Sequence, residues 1–473
     1  MPLAMHASAP KTRFAPSPTG LLHLGNIRTA LFNYLLARGA HATFLLRIED
    51  TDAARGHEKY AEALQRDMGW LGLKWQEGPG VGGPHSPYYQ SQRGADYERY
   101  FARLQQQGQA YRCFCSEHEL EVARKTQLAA GRPPRYSGRC RALSAADIEQ
   151  RLVAGTPATL RFHVADGATL VFDDKVRGTQ TFRTDDIGDF VIRRSDGSPA
   201  FFFCNAIDDA LMQVDLVMRG EDHLTNTPRQ ILLLQALGLP VPEYAHISLV
   251  VGADGSPLSK RHGSRTVQEL RAAGYFPEAI VNYLARLGHT YESNHFMDMQ
   301  ALATHFDSTR LGRAPARFDE AQLLHWQHEA VLKLPSTLLW TWMGAAVHAI
   351  VPEAMRDEFI DAVRANITIP ADAQRWARII FTDDWTPAHG GDAAVTEAGS
   401  EFFRHALTAL EQHGTDFKAF SQHIKGATGA KGKALFQPLR AALSGELDGP
   451  EMVKLLPLIG VARAKQRLGR YTA

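Results

Sequence analysis

Residues 12–26 read Thr-Arg-Phe-Ala-Pro-Ser-Pro-Thr-Gly-Leu-Leu-His-Leu-Gly-Asn, and the way this stretch folds decides how the rest is read. The short apolar run from Thr12 breaks at Pro16-Ser-Pro-Thr-Gly20, where the prolines fix a turn and Gly20 lets the backbone pass close to a ligand. After that loop Leu24, Ile27, Leu31 and Tyr34 recur at helical spacing, with Leu35 beside them, until Gly39. Ala42–Ile48 predicts a second strand, running into Glu49-Asp-Thr-Asp52. Strand, helix, strand predicts a right-handed βαβ unit and a parallel sheet. Ligands of such sheets bind where strand C-termini meet helix N-termini, and both Pro16–Gly20 and Glu49–Asp52 fall at those edges.

His23 and Gly25 then sit in the first turn of the helix, where unpaired N–H groups and the dipole favour anions. A phosphate chain placed there meets backbone donors, the His23 imidazole and no Cβ at Gly25. Taken alone, the same residues read equally well as an ordinary βα turn with a solvent-facing histidine.

Working outward, Gly78–Pro87 is a Gly/Pro-rich break. The mixed texture from Tyr88 to about Ala200, with a basic segment near Arg124–Arg141 and β-like pieces at Thr159–Val164 and Thr169–Phe172, reads as an insertion. A second α/β stretch follows. Phe201–Ile207 is apolar, and Leu216–Arg219 leads into Gly220-Glu-Asp-His223. A helix then opens at Thr227-Pro-Arg-Gln230, with Thr227 as N-cap, and ends at Gly238 and Pro240. His246–Val251 is the next expected strand, followed by the Asp254-Gly255 turn and Pro257-Leu-Ser-Lys-Arg-His-Gly263. Beyond Thr266 the pattern is helical, with an apolar stripe at Phe403, Ala406, Leu407 and Leu410. Pro335, Pro352, Pro370, Pro387 and Pro438 punctuate it.

The 473 residues carry 52 Lys+Arg against 51 Asp+Glu, with 44% hydrophobic and 22% charged residues, which excludes disordered, collagenous and coiled-coil classes. Near-neutral charge excludes a polybasic coat but not a local basic face. Four cysteines, Cys113, Cys115, Cys140 and Cys204, are too few for a secreted disulfide scaffold. The first ten residues carry neither a basic leader nor a sustained apolar run, and no apolar run reaches the roughly 18 residues of a spanning helix. A cytoplasmic protein without membrane contact is the expectation.

Leu258-Ser-Lys-Arg261 lies on a loop after the Val250 strand. Alone it is a solvated basic turn, but a Lys-Arg pair there could also fold over a triphosphate and stabilise charge on departing pyrophosphate. Together with Phe14–Asn26, each at the end of a predicted parallel strand, it resembles the HIGH and KMSKS motif pair of class I aminoacyl-tRNA synthetases. The wording is similar to that of bacterial glutamyl-tRNA synthetases at Ala15–Gly20, Arg47–Asp52, Tyr88–Ser91, Arg219–His223, Asn226–Gln230 and Leu258–Gly263. The likeness is dense from about Arg13 to Leu287 and thinner through Pro438-Leu-Arg440.

That resemblance implies an α/β fold: a Rossmann-type catalytic domain (1–87 and 203–252) with an inserted α+β acceptor-binding domain (88–202). A stem-contact region (253–325) follows, then an all-α anticodon-binding region (326–473) of two helical subdomains, breaking near 390. It implies ligation of L-glutamate to tRNA-Glu through a glutamyl-adenylate. The alternatives are a form that also charges tRNA-Gln and a non-catalytic tRNA-binding relative. Arg13 and Arg219 would hold the substrate's side-chain carboxylate and Glu49 its ammonium, with Ala15, Ser17, Phe201 and Asn205 lining the pocket. His23, Gly25, Asn26, Asp222, Leu258, Ser259 and Lys260 would bind ATP. His23, Lys260 and Arg261 would carry the catalysis, with Mg²⁺ arriving on the nucleotide. Asp50 and Asp52 read as structural, and a monomer is expected. Arg313, Arg317, Lys431 and Lys433 are candidates for tRNA contact, and equally solvated charges.

Three departures from the family pattern stand out. Pro257 replaces the lysine that often opens the second motif, and Phe201 takes the place of a tyrosine. Some relatives bind zinc through Cys-x-Cys, a further Cys and a residue two positions on. Cys113, Cys115 and Cys140 keep three donors, but Ala142 cannot supply the fourth, so no zinc is expected.

Overall fold

The computed structural model describes residues 10–51, 58–131, 134–258, 265–383 and 391–473. The chain divides into two compact units, one of residues 1–269 and 280–320, the other of residues 270–279 and 321–473. The expected break near 390, Asp52 and Pro387 lie outside the described residues.

In the first unit, β1 (Thr12–Phe14), the helix Leu24–Gly39 and β2 (Phe44–Leu46) form the expected βαβ unit. β1 pairs in parallel with β2, Arg13 opposite Leu45. Leu24, Ile27, Leu31, Tyr34 and Leu35 are all buried, as their spacing predicts. The second strand is shorter than Ala42–Ile48: Arg47 N–H still bonds to the Phe14 carbonyl of β1, but Ile48 N–H turns to that of Tyr88.

β3 (Ala110–Cys113), β4 (Thr159–Phe162), β5 (Thr169–Asp174), β6 (Gly178–Arg183) and β7 (Phe190–Arg193) follow. β3, β4 and β7 make a separate three-stranded antiparallel sheet. β8 (Leu216–Gly220) and β9 (Glu243–Ile247) return to the first sheet, whose order is β2-β1-β8-β9-β5-β6. The β5–β6 hairpin thus lies inside the 88–202 span yet joins the main sheet, through parallel pairing of Asp174 with Tyr244. The expected strand His246–Val251 is interrupted at Ser248-Leu249. Past the break, β10 (Val250–Val251) pairs with β11 (Ala316–Arg317) in a two-stranded sheet.

Two local expectations change. Thr227 is already helical, Asn226 is the cap residue without a side-chain cap bond, and the Thr227 hydroxyl turns to Arg219 and His246 instead. Pro438 does not end a helix but lies within Lys433–Ser444.

The second unit is helical. Trp376, Phe403, Phe420, Leu439, Leu455 and Leu468 form its core, with Ala406 and Leu410 of the predicted stripe buried beside them. Buried Arg467 donates to the carbonyls of Leu443 (2.6 Å) and Ile379 (2.7 Å), satisfying acceptors near the ends of two helices.

Candidate active site

From β1 the strand order runs outward in both directions, and at that switch point the strand ends open a cleft of about 770 Å³. It gathers Arg13, Ala15, Ser17, Glu49, Phe201, Asn205 and Arg219 together with His23, Gly25, Asn26, Asp222 and Leu258. Ser259, Lys260 and Arg261 lie outside the described residues. On either side of them, Leu258 N–H bonds to the Val250 carbonyl and Thr266 bridges to His23.

The cap residue His23 makes no side-chain cap bond to the helix Leu24–Gly39, whose first turn holds no acid. A Cβ built at Gly25 or Gly20 would meet nothing within 4 Å among the described residues. The helix N-terminus therefore presents its donors to open space wide enough for an anionic chain.

The rest of the cleft is built on buried charge. The helix Phe201–Leu211 places Asn205 and Asp209 four residues apart, on one face. Asp209 accepts from Arg13 Nε (3.2 Å) and Arg47 Nη1 (2.8 Å). Arg47 Nη2 also reaches Glu49 (3.2 Å). Asp208 takes Arg93 Nε (2.6 Å), Gln90 (2.9 Å) and Tyr97 Oη (2.8 Å). Burial works against the Arg47 charge, but Asp209, Asp208 and Glu49 outweigh it and keep the guanidinium protonated. Burial likewise opposes ionisation of Asp209, and Arg13 and Arg47 reverse this. At Glu49 burial prevails over Arg47 and Arg13, lifting its carboxyl to about 7.

Arg219 differs from the other arginines. No carboxylate pairs with it among the described residues. Its Nε faces His246 Nε2 (3.2 Å), and its Nη2 donates to Thr227 Oγ1 (2.8 Å) and Gln230 Oε1 (2.6 Å). Nη1 is buried with no hydrogen-bond partner among the described residues. Burial, with Arg13 nearby, lowers its guanidinium to about 10. Gln230 continues through Asn205 (3.2 Å), whose amide donates to Glu49. Phe201 stacks on His223, ring centroids 5.3 Å apart.

Sequence reasoning missed Arg47, Asp208, Asp209, Thr227, Gln230, His246 and Arg28. The acid pair inside an otherwise apolar helix was a signal for Asp208 and Asp209. Arg28 lines the cleft, donates to the Leu287 carbonyl (3.1 Å) and that of Ser248, and is lowered to about 10 by burial. Asp50 accepts from Ser91 N–H (2.8 Å) and Oγ (2.6 Å), a structural bond. Arg313 is engaged with the Val176 carbonyl (2.7 Å).

The three thiols converge outside the cleft lining, their sulfurs within 4.8 Å of one another. Ala142 supplies nothing, but Tyr136 Oη lies 3.4 Å from Cys113 Sγ and 3.5 Å from Cys115 Sγ. Burial and its bonds to the thiols raise the Tyr136 phenol above its ordinary pKa, so what stands beside the three sulfurs is a protonated hydroxyl and not a fourth thiolate, imidazole or carboxylate.

The family model for tRNA synthetases class I (E and Q), catalytic domain, matches residues 10–325, and that for an anticodon binding domain matches 328–472. The chain belongs to this class I tRNA synthetase family. It is 58% identical over 464 residues to glutamate–tRNA ligase 2 of Nitrosococcus oceani, covering 98% of both chains. It is 54% identical to glutamate–tRNA ligase 1 of Methylococcus capsulatus, covering 98% of this chain and 99% of the relative. The crystal structure of a glutamate tRNA ligase from Elizabethkingia meningosepticum in complex with its amino acid superposes with a TM-score of 0.85 at 28% identity, covering 98% of this chain and 99% of that one.

Replacing Asp209 by Asn removes the one carboxylate that Arg13 and Arg47 share. We expect a stability loss of about 3 kcal/mol in urea unfolding, and a loss below about 1 kcal/mol would show the pair to be compensated from elsewhere.

Proposed function

We propose that this chain ligates L-glutamate to tRNA-Glu at the expense of ATP, through a glutamyl-adenylate. One observation carries the reading. Arg13, Arg47 and Arg93 each have an aspartate, whereas Arg219, which lines the cleft with Arg13 and Glu49, is buried with no carboxylate partner among the described residues. An amino acid with two carboxylates and one ammonium brings the carboxylate that Arg219 lacks. Its side-chain carboxylate fits Arg219 Nη1 and Arg13, and its ammonium fits Glu49. The names of the full-length relatives point the same way.

In the proposed reaction the substrate's α-carboxylate oxygen attacks the α-phosphate of ATP. The bond to pyrophosphate breaks, and the acyl group then passes to a ribose hydroxyl of the tRNA. The chain supplies no covalent nucleophile. The helix N-terminus beside His23 and Gly25 orients the phosphates and holds the charge growing on them, and Lys260 and Arg261 are assigned the departing pyrophosphate. Mg²⁺ is expected to travel with the nucleotide phosphates. Residues 88–202 are assigned to the tRNA acceptor end, 253–325 to its stem and 326–473 to its anticodon. The chain is assigned to the cytoplasm as a monomer. No helix among the described residues is long and apolar enough to cross a membrane.

Pyrophosphate exchange into ATP, run with and without tRNA, tests the reading. Exchange that depends on glutamate is expected. None with glutamate even when tRNA is present would leave a tRNA-binding protein instead. Charging purified tRNA-Glu and tRNA-Gln separately decides whether one or both are substrates.

Because Glu49 in the empty cleft titrates near 7, and only the ionised carboxylate attracts an ammonium, kcat/KM for glutamate should fall with falling pH below about 7. A profile flat from pH 8 to about 5.5 would remove Glu49 from the ammonium subsite. Gly25→Ala adds a methyl group at the helix start, where no described residue lies within 4 Å of it. It should raise the KM for ATP at least about tenfold without lowering the melting temperature, since Ala favours helix over Gly.

A further inference from the structure

Three acceptors surround Arg219 and leave one of its terminal nitrogens for a ligand, so whatever fixes those acceptors fixes the direction of that nitrogen. Thr227 Oγ1 and Gln230 Oε1 are ordinary acceptors. The third, His246 Nε2, accepts only in one of the ring's protonation states.

His246 sits in β9 with no exposed surface. Its Nδ1 lies 2.6 Å from Oδ2 of Asp174, the last residue of β5. The Asp174 carboxylate also accepts backbone N–H groups from Val176 (2.9 Å), Arg177 (2.7 Å) and His246 itself (3.1 Å). Burial opposes its charge, and the His246 bond with these N–H groups outweighs that, so the carboxyl stays below its usual value. An acceptor-only carboxylate accepts a hydrogen bond from Nδ1–H, which keeps the ring proton on Nδ1. Burial, with Arg219 and Arg13 nearby, pushes the ring below its ordinary pKa against the pull of Asp174. The ring is therefore neutral, protonated on Nδ1, with a lone pair on Nε2. Arg219 has donors and no acceptors, so its Nε–H needs that lone pair. The same logic runs onward. Gln230 turns its oxygen to Arg219 and its nitrogen to Asn205, and Asn205 turns its nitrogen to Glu49.

We infer that Asp174 and His246 are positioning residues for substrate selection: the carboxylate locks the imidazole in its Nδ1–H form, and the imidazole aims Arg219 Nη1 at the substrate's side-chain carboxylate. The inference rests on the glutamate pocket proposed above and assigns it two residues that do not line the cleft. It also gives the β5–β6 hairpin a role in the site. The strand that carries Asp174 comes from the 88–202 span, so folding that span into the main sheet completes the pocket.

Two conservative variants separate positioning from bulk stability. In His246→Gln the amide oxygen can stand where Nε2 stood and accept from Arg219, whereas His246→Asn is too short to reach. Asp174→Asn, nearly isosteric, offers Nδ1 a donor and forces the ring proton onto Nε2, against Arg219. Glutamate KM from pyrophosphate exchange should rise at least about tenfold in His246→Asn and Asp174→Asn, the loss of a hydrogen bond to a charged group. It should stay within about threefold of wild type in His246→Gln, and the KM for ATP should hold in all three. Nitrogen-15 histidine spectra of the wild-type protein, with His246→Gln to assign the signal, should show the proton on Nδ1.

Equal damage in the folded His246→Asn and His246→Gln proteins, or an unchanged glutamate KM in Asp174→Asn, would overturn the relay. So would a proton on Nε2 in the wild-type spectra, once the folded His246→Gln protein has assigned the signal. Arg219→Lys serves as the control. If it leaves the glutamate KM unchanged, the pocket reading itself has failed and the relay falls with it.

Discussion

A guanidinium buried with no carboxylate partner among the described residues is the constraint around which the cleft is arranged. Arg219 is 5% exposed, and the groups that hold it are neutral: an imidazole, a hydroxyl and an amide. An uncompensated charge in that position is costly, which is why its pKa is pulled down. Neutral acceptors lower the cost without cancelling the charge. A carboxylate partner from the protein would have stabilised the fold more, and would have closed the site to an anionic ligand.

The neighbouring arginines show the contrast. Arg13, Arg47 and Arg93 each have an aspartate, and Asp209 is shared between two of them. Of these residues Arg13 lines the cleft, and Arg47 is fully buried and tied to three carboxylates. One arginine on the unpaired side and Glu49 on the other give the cleft a positive and a negative end, connected through Gln230 and Asn205. Because every link in that connection has one donor direction, the amides cannot turn without breaking the charged ends. The pocket is thus set before a ligand enters, and binding need not spend free energy on ordering it.

The parts of this arrangement that were legible in the sequence are those made by neighbours in the chain. Turn residues at Pro16–Gly20, the spacing of Leu24, Ile27 and Leu31, and the apolar strand before Arg219 are local signals, and the structure has them. The resemblance supplied Arg13, Glu49, Asn205 and Arg219, and the cleft brings them together. What could not be read was the set of partners. Asp209 meets Arg13 across 196 residues, and Asp174 meets His246 across 72. No period or spacing encodes such contacts. The Thr227 error has the same source: Thr-Pro-x-Gln is a good local cap signal, yet the hydroxyl and the amide both had a charged partner available in space, which outweighs a cap bond.

The arrangement also bears on how an amide analogue is refused. Glutamine matches glutamate in shape but brings no second carboxylate, so on the proposed chemistry Arg219 would keep no anionic partner. Its amide nitrogen, a donor, would face Arg219 Nη1, another donor, in a place with no water-exposed surface to relieve it. Rotating the amide to offer its oxygen satisfies one nitrogen and points the other group at Arg13, which is equally donor-only. Neither orientation pairs every buried polar group, whereas a carboxylate pairs both arginines. Built sites reject a mispaired ligand by orders of magnitude, so discrimination of this kind needs no separate hydrolytic step. It does need Arg219 to be unable to swing away. Three acceptors, one of them held in its accepting form by Asp174, prevent that movement.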